Sequence, residues 1–415
     1  MIKNSVIPFK NPDQIEDPLT DLLKAGAKQL IQHAVEAELQ VLLEQYQYSL
    51  TEDGKAAVVR NGYQPERDIQ TGIGPVTVKI PKVRNRAGDP VVFHSALVPP
   101  YIRKTPTLEA VIPWLYLKGV STGEMGDALS VLVGKDTTGL SASTVSRLKK
   151  DWADEYHAWR KQDLSKDKWI YIWADGVYSG LRAEDTKLCA LVIIGVNEKG
   201  EKHFLAIEDG VRESTQSWRE ILLKLKSRGM NTPRLATGDG AMGFWAALEE
   251  CYPETRQQRC WVHKTANVLN CLPKNLQGKA KQDLHDIWQA DTRENAQSAF
   301  NLFIDSYEDK YPKATICLQK DREELMAFYD FPAKHWQSIR TSNPIESCFA
   351  TIRHRTKRSK GCLSREGMLH MMFKLSQCAE KKWRRLRGFD YLAKVLTGVS
   401  FKDGIEVKTK DQKAA

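Results

Sequence analysis

Apolar residues between about positions 14 and 48 fall mostly at steps of three and four: Leu19, Leu22, Leu23, Ala27, Leu30, Ile31, Ala34, Leu39, Leu42, Leu43 and Tyr46. That period predicts an amphipathic helix, or two broken near Gly26. Its stripe can pack within the monomer or pair with a second subunit. The period then shortens to two. Val76, Val78 and Ile80 alternate with Thr77 and Lys79, and Gly72, Gly74 and Pro75 punctuate the stretch, so residues 68–82 read as a small β-hairpin. Arg60, Lys79, Lys82, Arg84 and Arg86 would rim it, and a basic ribbon of this kind can lie along phosphates.

Helical spacing returns next. Ser121 and Glu124 form a capping box ahead of Met125, Leu129 and Leu132, and Gly134 and Gly139 bracket a turn. A second helix starts at Ser141 or Ser143 and carries Val145, Leu148, Trp152, Tyr156 and Trp159. Its early residues Ser143, Thr144, Ser146 and Arg147 are small or polar, as suits a recognition helix entering a major groove N-terminus first. An ordinary pair of core helices would carry the same pattern.

From Lys168 strands and helices alternate. Residues 169–178 (WIYIWADGVY), 188–196 and 203–207 read as strands, rich in aromatic and β-branched side chains. A helix over about 214–228 follows, with Trp218, Ile221, Leu222 and Leu225 on one face and Gly229 as its cap. Then come a short strand at 234–237, a helix over about 244–250, and a fifth strand at 256–260. Residues 264–335 are helical in pattern almost throughout. Further helices begin near Asn343 and span 365–387, the latter holding Met368, Met371, Met372, Leu375 and Trp383. The segment beyond Lys402 is polar and expected to fray.

A chain of 415 residues, 41% hydrophobic and 27% charged, has the composition of an ordered globular protein of two to four structural units. No apolar run approaches the ~18 residues of a membrane span, and the N-terminus lacks the apolar core of a signal peptide, so a cytoplasmic location is expected. The eight cysteines, all at or beyond Cys189, include no CxxC pair, which argues against a disulfide framework or zinc ribbon. A net charge of +10 fits a polyanionic partner. Its distribution says more. Arg353, His354, Arg355, Lys357, Arg358 and Lys360 crowd one segment, and Lys381, Lys382, Arg384, Arg385 and Arg387 another. A charge run is ordinarily a solvated face.

Three acidic residues stand where a strand stops or a helix starts. Asp175 follows an aromatic strand and precedes Gly176; Asp239 lies between Gly238 and Gly240; Glu346 follows Ser342, Asn343, Pro344 and Ile345. Asn343 fits as N-cap and Pro344 as first helical residue, with Glu346 third. Glu346, Ala350, Arg353 and Lys357 would then share a face, an acid followed by cations one and two turns on. In a sheet of mixed direction the first and fourth strands can be neighbours, bringing Asp175 and Asp239 to one edge. Two such carboxylates repel unless a divalent cation neutralises them, and hard oxygen donors select Mg²⁺ or Mn²⁺.

Taken in order, RNGY at 60–63, LKGVSTGEM at 117–125, SASTVSRL at 141–148, ADGVY at 174–178, GDGAMGFWAAL at 238–248, QRCWVHKTANV at 258–268 and RTSNPIESCFATIRHRTK at 340–357 resemble the mutator-type family of bacterial insertion-sequence transposases. The resemblance covers roughly residues 20–390. It implies an α/β fold: an RNase H-like mixed five-stranded sheet flanked by helices, with a helical insertion and an α-rich N-terminal DNA-binding region. It implies that Asp175, Asp239 and Glu346 form a metal-binding triad holding two Mg²⁺ (or Mn²⁺) ions, and that Arg353 matches the basic residue following the glutamate. Cys260 and His263 match the family's Cys-x-x-His signature. Zinc is not expected there, because a zinc site generally needs four ligands and Cys251, Cys271 and His285 stand at no regular spacing. Cys260 is expected to pack beneath the sheet and His263 to lie near the substrate strand.

The division expected is a helical region over 1–58 suited to oligomerisation, a basic β region over 59–100, and a helix-turn-helix region over 101–165. A catalytic core over 166–263 and 339–400 is split by a helical insertion at 264–338, and a polar tail occupies 401–415. Expected DNA contacts are Arg353, Lys357, His263, Arg147, Ser143, Thr144, Arg60 and Lys79. The resemblance implies a homo-oligomer, at least a dimer, that binds terminal inverted repeats and target DNA, cuts, and joins the freed 3′ end. A DNA-binding protein without catalysis and an RNase H-like nuclease of another kind are the rivals; the three retained carboxylates disfavour the first, and the helix-turn-helix region and long insertion the second.

Overall fold

A computed structural model describes residues 18–118, 120, 125, 128–129, 142–181, 187–240, 243–346 and 364–407. The chain divides into two compact units, Met1–Leu148 and Lys149–Ala415. In the first, α1 (Pro18–Gln45) is one helix, unbroken at Gly26. A Cβ at Gly26 would meet nothing within 4 Å, so no close approach forces a break there. The stripe resolves inward in its C-terminal half. Val35 and Leu39 are buried against Ile69, Val76, Val78, Ile80, Phe93 and Val98, whereas Leu19, Leu22, Leu23 and Leu30 stay exposed.

That core is closed by two strand pairs. The strands β1 (Val58–Tyr63) and β4 (Pro81–Asn85) are antiparallel, and β2 (Arg67–Thr71) and β3 (Gly74–Val78) form the hairpin read from the alternation. Two of the expected phosphate contacts are engaged in ion pairs here: Arg60 with Glu36 at 2.7 Å and Lys79 with Glu66 at 2.5 Å. Helix α2 (Pro106–Lys118) buries Leu108, Ile112 and Leu115 with Met125 and Leu129. Helix α3 (Ala142–Trp159), which from Lys149 onward belongs to the second unit, contains Ser143 and Thr144 in its first turn and an exposed Arg147. Ser121, Glu124, Gly134 and Gly139, and the side chains of Ser143 and Thr144, lie outside the described residues.

The second unit is built on a five-stranded mixed sheet: β5 (Trp169–Ser179), β6 (Leu188–Asn197), β7 (Lys202–Gly210), β8 (Leu235–Gly238) and β9 (Arg256–Arg259) in the order β7-β6-β5-β8-β9. β5, β6 and β7 are antiparallel neighbours, while β8 and β9 run parallel to β5. The first and fourth strands of this unit are therefore adjacent, at the centre of the sheet. One face is covered by α4 (Thr215–Ser227) and α5 (Phe244–Cys251), whose Trp218, Ile221, Leu222, Phe244 and Leu248 pack on Ile172, Ala174, Leu191, Ile193 and Ala236. Trp218 meets Phe244 edge to face at 5.1 Å.

Helices α6 (Trp261–Asn270), α7 (Lys274–Gln289), α8 (Arg293–Tyr307) and α9 (Pro312–Gln319) follow the last strand. The chain then returns to the sheet through residues 322–340. Helix α10 (Arg365–Glu380) lies against β7 and stops seven residues short of the length its spacing predicts. Trp383 is drawn off the helical path onto Phe204, with ring centroids 4.9 Å apart. The expected frayed tail is also partly ordered. Phe401–Lys402 pairs with Ile405–Glu406 around Gly404, which sits at φ +75°, and Phe401 is buried. The Gly404 amide donates to the Tyr329 carbonyl at 3.2 Å, tying this hairpin to the return segment.

His203 Nδ1 lies 2.6 Å from Glu380 Oε1 and anchors the end of α10 to β7. The hydrogen bond to Glu380 holds the imidazole above its ordinary value, against the opposing effect of burial. A pKa raised on folding adds stability that is complete below the unfolded value, about 6.5, and vanishes as pH rises through the folded one. Melting temperatures of wild type and Glu380→Gln should therefore differ most near pH 6 and converge in alkali. A gap that is constant with pH would show that the pair contributes no protonation linkage.

Candidate active site

The strand β5 carries a register irregularity between Trp169 and Tyr171. A one-residue slip flips every side chain beyond it to the other face. Trp169 thus joins the α4–α5 core, while Tyr171, Trp173 and Asp175 point to the opposite side. There Tyr171 Oη lies 2.9 Å from His335 Nδ1, and the Trp173 indole donates to the Ser338 carbonyl at 3.1 Å. On β8 the matching residue Thr237 donates its hydroxyl to the Ile339 carbonyl at 2.6 Å. Trp336, in the same return segment, packs on Phe328 and Tyr329 and serves the core.

Tyr171, Ile172 and Trp173 pair with Leu235, Ala236 and Thr237. Continued two residues, the same parallel register sets Asp175 opposite Asp239, on strands about 4.8 Å apart. The strand read over 169–178 is β5, which runs on to Ser179, so Asp175 lies within it rather than at its end and pairs with Val192 of β6. What ends at this level is β8. Its last residue is Gly238, so Asp175 lies beside an open strand end.

Each aspartate is oriented by its own backbone. Asp175 Oδ1 accepts from the Gly176 amide at 2.8 Å, and Asp239 Oδ1 from the Gly240 amide at 2.5 Å. The Trp245 indole donates to the Asp239 carbonyl at 2.6 Å and ties the aspartate to α5. Burial, opposed by His263 and the Gly176 amide and reinforced by Glu213 and Asp239, pushes the Asp175 carboxyl up to about 6. Hard oxygen donors that repel one another in a half-buried place are the type that Mg²⁺ or Mn²⁺ neutralises.

Glu346 arrives by another route. Cys260 follows β9, is buried, and donates its amide to the Gly238 carbonyl at 2.9 Å. Its sulfur lies 3.2 Å from Ser342 Oγ and accepts from the Ser342 amide at 3.2 Å. Ser342, not Asn343, precedes the helical residues 343–346, and its carbonyl accepts from the Ile345 and Glu346 amides. The Ser342 hydroxyl donates to Glu346 Oε1 at 3.3 Å, and His263 Nε2 lies 3.3 Å from the same oxygen.

Cys260 Sγ, a His263 ring nitrogen and a Glu346 oxygen all fall within 4.8 Å of one another, three donors where a structural zinc takes four. The Cys260 sulfur and the charges of Asp239 and Asp175 push His263 up to about 9, against burial. The fold thus sets the two aspartates side by side, and His263 stands electrostatically between them and Glu346. Arg353 and Lys357 lie outside the described residues.

A fourth carboxylate, which no sequence motif marks, borders the site. Glu213 follows Arg212, a non-glycine residue held at φ 56° as the chain leaves β7. A Cβ built on Gly176 would stand 2.6 Å from Glu213 Oε1, so Gly176 is glycine where another chain segment needs its space. The Glu213 carbonyl accepts from the Gly243 amide at 2.9 Å. Burial, opposed by a hydrogen bond with Tyr178, raises its carboxyl above the ordinary range, with Asp239 adding to the rise.

Comparison with known proteins agrees with the motif order. The family model described as Transposase, Mutator family, matches residues 6–385. The chain is 51% identical over 282 residues to the transposase for insertion sequence element IST2 of Acidithiobacillus ferrooxidans, covering 68% of this chain and 95% of that protein. It is 44% identical over 297 residues to the transposase for insertion sequence element IS6120 of Mycolicibacterium smegmatis, covering 72% and 92%. A solved Drosophila P element transposase strand transfer complex aligns at TM-score 0.31 and 11% identity over 71% of this chain and 83% of that one, a likeness too distant to bear on function.

Proposed function

Because the chain belongs to the Mutator family of transposases, we propose that it cuts and rejoins DNA at the terminal inverted repeats of its own insertion sequence, with Asp175, Asp239 and Glu346 holding two Mg²⁺ (or Mn²⁺) ions. The observation that carries this reading is the β5–β8 register, which, continued two residues past the Trp173–Thr237 pair, sets Asp175 level with Asp239 at an open strand end. The strand order β7-β6-β5-β8-β9 and the helices between β9 and Glu346 support the reading of an RNase H-like core with a helical insertion.

When bound, such a pair of ions activates the attacking water or 3′-hydroxyl and stabilises the leaving oxygen of an in-line displacement. The chain's own residues do the positioning. Asp175 and Asp239 present oxygens fixed by the Gly176 and Gly240 amides. Glu346, which here contacts Ser342 and His263, would be the third carboxylate to hold the ions, and His263 beside it would supply a positive charge for a DNA phosphate. Cys260, buried beneath, holds Ser342 and with it the start of the Glu346 segment. Arg353, Lys357, Arg147, Ser143, Thr144, Arg60 and Lys79 contact the DNA backbone and end sequence. Residues 59–165 supply end binding, and α1 contributes to the multimer that holds two ends together.

The test is incubation of the protein with its flanking terminal repeats and Mg²⁺, followed by mapping of nicked and joined strands. Nicks exposing a 3′-OH at the element ends, and joined products, are expected. Hydrolysis without joining would identify a nuclease, and binding without cleavage a DNA-binding protein that lacks the chemistry.

A further inference from the structure

Beyond the end of α10 the chain holds five cations in seven residues: Lys381, Lys382, Arg384, Arg385 and Arg387, all exposed. The segment is not a loose tail. Trp383 turns inward onto Phe204. Leu386 is buried, and its amide donates to the Gly200 carbonyl at 2.8 Å. Gly200, at φ +79°, leaves the room that Phe389 fills, since a Cβ there would stand 2.4 Å from Phe389 Cβ. The next turn is held by His335 Nε2, 2.8 Å from the Gly388 carbonyl. Two apolar anchors therefore fix this strap on the β6–β7 turn, and the five charged residues between and around them are exposed.

Several cations elsewhere on this unit are matched by acids: Arg160 with Glu208, Arg219 with Glu250, Arg365 with Asp209 and Lys394 with Glu406. On the strap only Arg385 has such a partner, Glu201 at 3.5 Å. Lys381, Lys382, Arg384 and Arg387 form no ion pair among the described residues. Fixing like charges close together without counter-charge is unfavourable unless an anion is supplied from outside. Lys381, Arg384 and Arg385 also line a groove of about 700 Å³ bordered by Glu155, Asp167, Glu201 and Glu380, whereas Lys382 and Arg387 lie outside it.

We infer that the 381–387 strap is a second DNA contact, gripping the phosphates of duplex at the start of β7, the opposite end of the sheet's strands from Asp175. This rests on the DNA reading proposed above. Phosphate contacts fix position and carry no sequence information, so the strap strengthens binding to any duplex.

The test compares full-length wild type with K381Q/K382Q/R384Q/R387Q, which leaves both anchors and the Arg385–Glu201 pair intact. Binding to an end-containing duplex and to a random duplex of equal length is measured across a salt series. The slope of log affinity against log salt should become shallower by roughly 3–4 for both duplexes, about 0.9 for each phosphate no longer neutralised. Unchanged slopes would overturn the assignment, as would unchanged DNA binding with an altered oligomeric state, which would make the strap a contact between copies. If the quadruple variant melts early, K381Q/K382Q alone should still flatten both slopes, by roughly 1–2. A wild type with no salt-dependent affinity for either duplex would instead defeat the DNA reading itself.

Discussion

Asp175→Asn and Asp239→Asn should each reduce strand cleavage by more than about 100-fold, because even residues one step removed from a metal change affinity or activity by 10–100-fold. End binding should stay close to wild type. Stability should move the other way for Asp175. Its carboxyl is held near 6 in the folded chain, mainly by burial, against about 3.9 when unfolded. Between those values the folded state binds more protons than the unfolded one, so stability falls as pH rises from about 4 to 6. At pH 7 without metal the ionised carboxylate weighs against folding by roughly 2–3 kcal/mol. Asp175→Asn should therefore melt above wild type at pH 7 in chelator and match it below about pH 4. Adding Mg²⁺ should stabilise wild type and not the variant. A variant that cleaves normally, or one that gains no stability at pH 7 without metal, would remove Asp175 from the proposed cage.

This opposition of stability and chemistry also explains which parts of the site can be read in the sequence. Asp175, beside Gly176 inside an apolar strand, and Asp239, between Gly238 and Gly240 just past one, stand out in the sequence as acids placed where folding alone does not favour them. Alternation fixes the strands but not the irregularity at Trp169–Tyr171, and that irregularity decides which face Asp175 occupies. Helix period over-extends α10 because Leu375 and Trp383 keep the spacing, while a long-range contact with Phe204 takes Trp383 off the helix. Ser342 displaces Asn343 at the start of the Glu346 segment because Cys260 binds its hydroxyl and amide, and nothing near position 342 encodes that partner. Glu213 is illegible for the same reason. Its approach depends on a left-handed Arg212 and on the docking of α4 beside α5. Its faint trace is the pair Gly176 and Gly243, two glycines at places with no local turn requirement.

Gly243→Ala should expose that dependence. A Cβ at Gly243 would stand 2.3 Å from the Thr215 nitrogen, 2.7 Å from the Ser214 carbonyl carbon and 2.8 Å from the Glu213 oxygen. All three are backbone atoms, so no rotamer change relieves the overlap; the N-termini of α4 and α5 must separate. Overpacking of this kind destabilises by typically 1–3 kcal/mol. The separation lengthens the Gly243–Glu213 hydrogen bond, shifts Trp218 against Phe244, and withdraws Glu213 from Gly176. It also moves Trp245, whose indole holds the Asp239 carbonyl. Cleavage should accordingly fall even at temperatures where the variant is fully folded, and the Mg²⁺ concentration giving half-maximal activity should rise. Gly26→Ala provides the contrast: in the interior of α1, with open space at its Cβ, the same change should stabilise by roughly 0.5–1 kcal/mol. If Gly243→Ala melts and cleaves as wild type does, the two helix starts are not in backbone contact, and Glu213 has no fixed place beside the aspartates.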